Sequence, residues 1–132
     1  MQPLKVLIAD DTEGLRAVLR AVLESLGHQV TEAADGQQAV EAARRGDFDL
    51  ALLDLEMPLL DGGRALTRIA AARPGTACVL MTGSTDGRRV AAALGRGARA
   101  CLRKPFSLKA LEAILLEIAA AREGEVATAA LA

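Results

Sequence analysis

Hydrophobic residues along the chain follow two alternating patterns: short unbroken apolar runs, and longer stripes at three- and four-residue spacing. The first run, 4–9, reads as a strand ending in Asp10-Asp11-Thr12. Leu15, Val18, Leu19, Val22, Leu23 and Leu26 then form a stripe with a helical period, stopped by Gly27 in a C-cap position. A short second strand is expected at 29–32 around Val30, a turn at Asp35-Gly36, and a second helix over 37–45 ended by Gly46. The third strand covers 49–53. There Leu50 to Leu53 run straight into Asp54, and Met57-Pro58 and Asp61-Gly62 break the chain. An apolar run closed by turn residues fits a strand buried on both faces.

A third helix is expected over 62–72, with Leu66 and Ile69 inward and Arg64, Arg68 and Arg73 outward, ended by Pro74-Gly75. Residues 77–81 form a fourth strand closed by Thr82-Gly83-Ser84. Asp86 caps a short fourth helix through Ala93-Leu94, broken by Gly95 and Gly97. Residues 99–102 form a fifth strand, and Arg103-Lys104-Pro105-Phe106 turns the chain. Ser107 caps a last helix with Leu108, Leu111, Ile114, Leu115 and Ile118 on one face. From Glu123 the chain is polar and then Ala-rich, which predicts one domain over 1–122 and a frayed tail or linker over 123–132. Strands alternating with helices imply an α/β domain. Its sheet is parallel, with right-handed crossovers and helices on both faces.

Composition narrows the class. A chain of 132 residues is one domain with room for a substantial core, and 52% hydrophobic residues with two Phe, no Tyr and no Trp make that core aliphatic. Sixteen basic against 17 acidic residues leave a net charge of -1, which argues against bulk attraction to nucleic acid or a membrane surface. No apolar run approaches bilayer-spanning length, and the N-terminus enters a strand without a signal-peptide layout, so the expected location is cytoplasmic. Cys78 and Cys101 lie in apolar runs without metal-site spacing and are expected to be buried and reduced.

In a parallel sheet all strand-to-helix loops open on one edge, where ligands bind. Strand one delivers Asp10 and Asp11 there, strand three Asp54, strand four Thr82 and strand five Lys104. Two carboxylates 4 Å apart repel by about 4 kcal/mol at an effective dielectric of about 20. A hard divalent cation, Mg²⁺ or Mn²⁺, relieves this and commonly joins carboxylates to a phosphate. Beside it Asp54 is a candidate nucleophile toward phosphorus, giving an aspartyl phosphate. Lys104 would offset charge on the phosphoryl oxygens, and the Thr82 hydroxyl would donate to one of them. Each residue alone has a structural role available: a helix cap for Asp10 or Asp11, turn closure for Thr82, a solvated charge for Lys104. Their joint arrival at one edge is what points to chemistry. No Walker loop or Gly-x-Gly-x-x-Gly follows the first strand, so nucleotide binding is unsupported.

These pieces, with Met57-Pro58, Asp61-Gly62 and Lys104-Pro105-Phe106, resemble the receiver domain of bacterial two-component response regulators, chemotaxis-regulator-like, over residues 4 to about 121. The resemblance implies a flavodoxin-like doubly wound (βα)5 fold with a five-stranded parallel sheet in the order 2-1-3-4-5. It implies that Asp54 takes a phosphoryl group from a histidine kinase. Asp11 would be a direct Mg²⁺ ligand, Asp10 a ligand through water, and the Glu56 backbone carbonyl a further one. Thr82 and Lys104 would contact the phosphoryl oxygens, and the Lys104-Pro105 bond would be cis. The protein would be a phosphoacceptor switch rather than an enzyme with a separate substrate. Its partners would be a histidine kinase or phosphotransfer protein, and an output domain or target met through the fourth helix, fifth strand and fifth helix. A phosphorylation-dependent homodimer is a further implication, whereas direct contact with nucleic acid or membrane is not.

The chain departs from that pattern at Cys101, where receivers carry Tyr or Phe. A thiol cannot report the site by ring burial, so Thr82 is expected to move with weaker coupling to the fifth-strand face, or through other residues. Glu56 could orient or repel attacking water, or approach the metal; Ser84 leaves space for it. Arg88, Arg89, Arg96, Arg99 and Arg103 cluster as a partner surface or a solvated face. A phosphatase of the haloacid-dehalogenase kind is disfavoured, because Asp10 and Asp11 are adjacent and no cap domain fits. A receiver-fold module that is never phosphorylated is disfavoured because every chemical position is filled. The chain is expected to be a single-domain regulator or a receiver cut from a longer protein. Beginning at Met1, it fits the first or an N-terminal module of a longer regulator better than the C-terminal receiver of a hybrid kinase.

Overall fold

The computed structural model describes residues 2–131, with side chains as far as Gly124. Strands β1 (Lys5–Ala9), β2 (Gln29–Ala33), β3 (Leu50–Asp54), β4 (Ala77–Thr82) and β5 (Ala100–Arg103) alternate with helices α1 (Glu13–Ser25), α2 (Gly36–Arg45), α3 (Gly62–Ala72), α4 (Gly87–Gly95) and α5 (Leu108–Leu131). The strands pair in parallel in the order β2-β1-β3-β4-β5. This is the doubly wound arrangement that the alternation and the resemblance both implied.

The apolar runs explain which strands are central. All five residues of β3 are buried, as are the last four of β1 and the last five of β4, because helices cover both faces. Leu19 and Leu23 of α1 and Leu111, Leu115 and Ile118 of α5 pack on Val6, Ile8, Leu50, Leu52, Val79 and Met81. On the other face Val40 of α2, Leu66 and Ile69 of α3 and Ala93 of α4 pack on Leu7, Ala51, Leu53 and Leu80. Alternate residues of each strand feed alternate layers, as the period-two pleat requires.

Helix ends follow local chemistry. Asp35, Asp61 and Asp86 each accept a hydrogen bond from a backbone N–H in the first turn of α2, α3 and α4, and Ser107 Oγ accepts from Ala110. Gly27 and Gly97, with φ of 93° and 106°, follow the ends of α1 and α4 in the left-handed region.

Three expectations change. Val18, Leu26 and Leu108 belong to the apolar stripes but are exposed, because the stripes are wider than the surface the sheet offers. Val18 and Leu108 border an apolar groove of about 450 Å³ between α1 and the start of α5. Arg73 does not point outward. Its guanidinium donates to the carbonyls of Ala43 (3.0 Å) and Arg44 (2.8 Å), groups that the end of α2 leaves without intrahelical partners. The backbone of α5 continues to Leu131, past the boundary expected at 122, in keeping with the helix propensity of an Ala-rich stretch. Ala132 lies outside the described residues.

No helix among the described residues is long and apolar enough to cross a membrane. Both cysteines are free. Cys78 is buried, its thiol pushed up to about 11 by that burial, and Cys101 is half-buried.

Candidate functional site

The carboxyl edge of the sheet collects the predicted side chains. Asp10 follows β1 and is fully buried, and Asp54 closes β3 at 4% exposure. Thr82 closes β4 and is fully buried, and Lys104 follows β5. The main chain joins these ends. Leu55 N–H donates to Met81 carbonyl at 2.8 Å, and Lys104 N–H donates to Thr82 carbonyl at 2.7 Å. Strand registers that pair Asp54 with Met81 and Thr82 with Arg103 therefore set the spacing between the reactive groups.

Lys104 Nζ donates to Asp10 Oδ2 at 2.6 Å and lies 3.2 Å from Asp54 Oδ2. The remaining oxygen of Asp10 accepts from Thr12 N–H at 2.8 Å, and that of Asp54 accepts from Glu56 N–H at 3.1 Å. Asp10 thus supports the turn into α1 and faces the site as well, while Thr12, at the N-cap, makes no side-chain cap. Arg16 of α1 donates to the Asp10 carbonyl at 2.6 Å and pairs with Glu32 of β2 at 3.3 Å, which pins the turn from behind.

Burial is the main reason that Asp54 is pushed up to about 6. Lys104 pulls it down, the neighbouring Asp10 charge pushes it further up, and the Glu56 N–H and side chain act in opposite senses. Burial works against the Lys104 ammonium, yet its hydrogen bond to Asp10 and the attraction of Asp54 hold it above its usual range.

Asp10, Asp11 and Asp54 each offer a carboxylate oxygen, all within 4.8 Å of one another. Among the described residues only one ammonium, that of Lys104, faces them. Three hard oxygen donors with an excess of negative charge suit an oxygen-seeking divalent cation such as Mg²⁺. The Lys104-Pro105 peptide is cis, as the resemblance implied.

Two residues stand differently from the rest. Cys101 is not among the convergent groups. It lies opposite Leu80 in the β4–β5 ladder and packs against the layer under α2, α3 and α4. The Glu56 side chain, by contrast, enters the site. Thr82 Oγ1 donates to Glu56 Oε1 at 2.6 Å and accepts from Ser84 N–H at 2.9 Å, and Arg89 of α4 lies 3.6 Å from the same Glu56 oxygen. Sequence reasoning singled out Glu56 but missed these partners. The sequence carried no signal for them, because it is the register pairing Asp54 with Met81 that brings the residue two beyond one strand end near the hydroxyl that closes the next.

Known proteins show the same organisation. Residues 6–116 match the family model described as the response regulator receiver domain. The transcriptional regulatory protein PdtaR of Mycobacterium tuberculosis is 41% identical over 133 residues, which cover 96% of this chain and 64% of that protein. The chain therefore spans somewhat under two thirds of that relative's length. The receiver domain of sensor histidine kinase PA1611 from Pseudomonas aeruginosa is 34% identical, with a TM-score of 0.80 over 88% of this chain and 97% of that one; it holds a magnesium ion in its active site cleft. A CheY-like receiver from Methanospirillum hungatei is 26% identical, with a TM-score of 0.86 over 93% of this chain and 99% of that one.

Proposed function

Because this chain belongs to the response regulator receiver family, we propose that Asp54 accepts a phosphoryl group from a phosphohistidine donor and so shifts a conformational switch in a phosphorelay. The observation that carries the assignment is Asp54 at a buried strand end, 3.2 Å from the Lys104 ammonium and grouped with Asp10 and Asp11.

The chemistry follows from these groups. An Asp54 carboxylate oxygen attacks phosphorus; the new O–P bond forms as the N–P bond to the donor imidazole breaks, and the imidazole leaves with its electron pair and takes up a proton from solvent. Lys104 Nζ holds positive charge where the phosphoryl oxygens arrive, and the Thr82 hydroxyl donates to one of them. Asp10, Asp11, Asp54 and the Glu56 carbonyl would hold Mg²⁺ or Mn²⁺, which supplies further positive charge against those oxygens. The backbone N–H of Glu56 fixes the Asp54 carboxylate that attacks. Water later cleaves the acyl phosphate, so the protein's own phosphorylation and dephosphorylation are its only reactions.

The donor is a histidine kinase or a phosphotransfer protein. The output is a domain or target reached through α4, β5 and α5, where Arg88, Arg96 and Arg103 are exposed, and the modified form can pair with a second copy through that face. Residues 1–122 act as the receiver and 123–132 lead away from it, in the cytoplasm. PdtaR, the relative named above, is called a transcriptional regulatory protein, and control of transcription through a separate output suits this chain too.

Incubation with acetyl phosphate and Mg²⁺, followed by intact mass measurement, tests the assignment. Wild type gains one phosphoryl mass and Asp54→Ala gains none. No gain in wild type, or a gain in both, overturns it.

A further inference from the structure

Thr82 has one hydroxyl proton, and it is already committed. Its Oγ1 donates to Glu56 Oε1 at 2.6 Å and accepts from Ser84 N–H at 2.9 Å. A hydroxyl supplies a single donor, so Thr82 cannot keep Glu56 and also donate to a second oxygen. Glu56 is acceptor-only when ionised, and its other contact through the same oxygen is Arg89 of α4, at 3.6 Å. A continuous chain therefore runs from the end of β4 through the β3–α3 loop to α4: Thr82, Glu56, Arg89.

Helix α4 suits the receiving end of such a chain. It is nine residues long, and only Ala93 among them is buried. By comparison α3 buries five of its residues. An element with little buried surface sits at the low end of local stability, where a polar tether changes its opening noticeably. The Arg89 pair is half-exposed and weak by itself. The charge-assisted bond from Thr82 fixes Glu56, and a fixed carboxylate is what gives Arg89 a partner in one place.

We propose that Glu56 is a positioning residue: it holds the Thr82 hydroxyl while Asp54 is unmodified, and it surrenders that hydroxyl when Asp54 carries a phosphoryl group, which loosens α4 through Arg89. The inference rests on the phosphoacceptor reading above and adds a route by which the state of Asp54 reaches α4. Occupancy of Asp54 breaks the Thr82–Glu56 bond, because the one proton now serves a phosphoryl oxygen. Glu56 then moves with solvent rather than with β4, and Arg89 loses its fixed partner.

Amide hydrogen exchange over α4, measured with and without beryllofluoride and Mg²⁺ as the phosphoryl stand-in, tests this. In wild type the α4 amides exchange about fivefold faster once loaded. In Arg89→Ala, a residue outside the phosphoryl chemistry, they are already fast without loading and change by less than about twofold. Glu56→Ala behaves as Arg89→Ala does. Arg88→Ala removes the same charge from the same helix without touching Glu56 and responds as wild type. Normal loading-dependent exchange in Arg89→Ala, or an Arg88→Ala that loses the response equally, overturns the route. Acetyl phosphate labelling followed by intact mass separates the two levels. A wild type that gains no phosphoryl mass removes the underlying function, whereas one that does, with an unaltered α4 response in Arg89→Ala, removes only the route.

Discussion

Lys104 Nζ lies 2.6 Å from Asp10 Oδ2 and joins two residues 94 positions apart in the chain. Among the described residues the ammonium is the only side-chain partner of this fully buried carboxylate, and it leans on Asp54 as well. Removing one member of a buried pair leaves the other charge uncompensated. Lys104→Ala is therefore expected to destabilise the metal-free protein by about 2–3 kcal/mol, below the fully buried limit because Lys104 is partly exposed. Added Mg²⁺ should stabilise the variant more than wild type, since a cation takes over the compensation. Urea unfolding in chelator and in Mg²⁺ measures both, and equal Mg²⁺ increments in the two proteins contradict the expectation.

Asp54 is pushed up to about 6 from an ordinary 3.8. A folded value above the unfolded one means that the folded state binds the proton more tightly, so its stability falls as pH rises from about 4 to about 6. Asp54→Asn removes the ionisable group. In chelator it should exceed wild type in stability by about 1–3 kcal/mol at pH 7, with the gain vanishing near pH 4. Paired denaturation curves at those two pH values test it, and a gain that persists at the lower pH would falsify this account.

His28 carries the opposite sign. It is buried, its Nδ1 accepts from Leu4 N–H at 3.0 Å, and its Nε2 has no hydrogen-bond partner among the described residues. Burial, then the charge of the amino terminus, lowers its pKa below 6.5. The stability that neutral His28 supports is complete above pH 6.5 and is lost as pH falls toward the lower folded value. Thermal unfolding of wild type should show this loss on acidification, and His28→Gln should show a shallower slope from pH 7 to 5. Identical slopes would remove His28 as the cause.

Gly62 carries the close approach between the start of α3 and the phosphoacceptor strand. A Cβ there would sit 2.3 Å from the Asp54 carbonyl oxygen and 2.9 Å from Leu55 Cα. Both are backbone atoms that cannot swing aside. Gly62→Ala should destabilise by about 2–4 kcal/mol and weaken Mg²⁺ binding, because the displaced main chain carries Asp54. Gly14→Ala, where nothing lies within 4 Å, should be neutral or gain up to about 1 kcal/mol from helix propensity. Denaturant midpoints for the two variants decide the matter, and similar effects at both positions would count against the steric argument.

Much of this protein is legible in its sequence. The run from Leu50 to Leu53 marked a doubly covered strand because a strand with helices on both faces has no polar side to show. Gly62–Ala72 was bounded at both ends by residues whose backbone preferences start and stop helices. Convergence of Asp10, Asp11, Asp54, Thr82 and Lys104 followed from parallel connectivity alone, since that topology sends every such loop to one edge. What the sequence by itself determined was the order of elements, the layers and the edge where chemistry collects, all of them consequences of local period and chain direction.

Tertiary structure decided how far each apolar stripe is covered and which polar groups meet. Val18 and Leu108 carry the helical period but lie at the margin of α1 and α5, where no layer reaches. Arg73 looked solvated until α2 brought unpaired carbonyls within its reach. Glu56 could have faced water, metal or protein, and the β3–β4 register settled it on Thr82. Cys101 lies opposite Leu80 and packs against the layer under α2, α3 and α4, apart from the convergent groups, whereas the Glu56 side chain meets both Thr82 and Arg89 of α4. These outcomes depend on distances between segments far apart in the chain. Such distances are fixed only when strands choose a register and helices dock, and no local period encodes them.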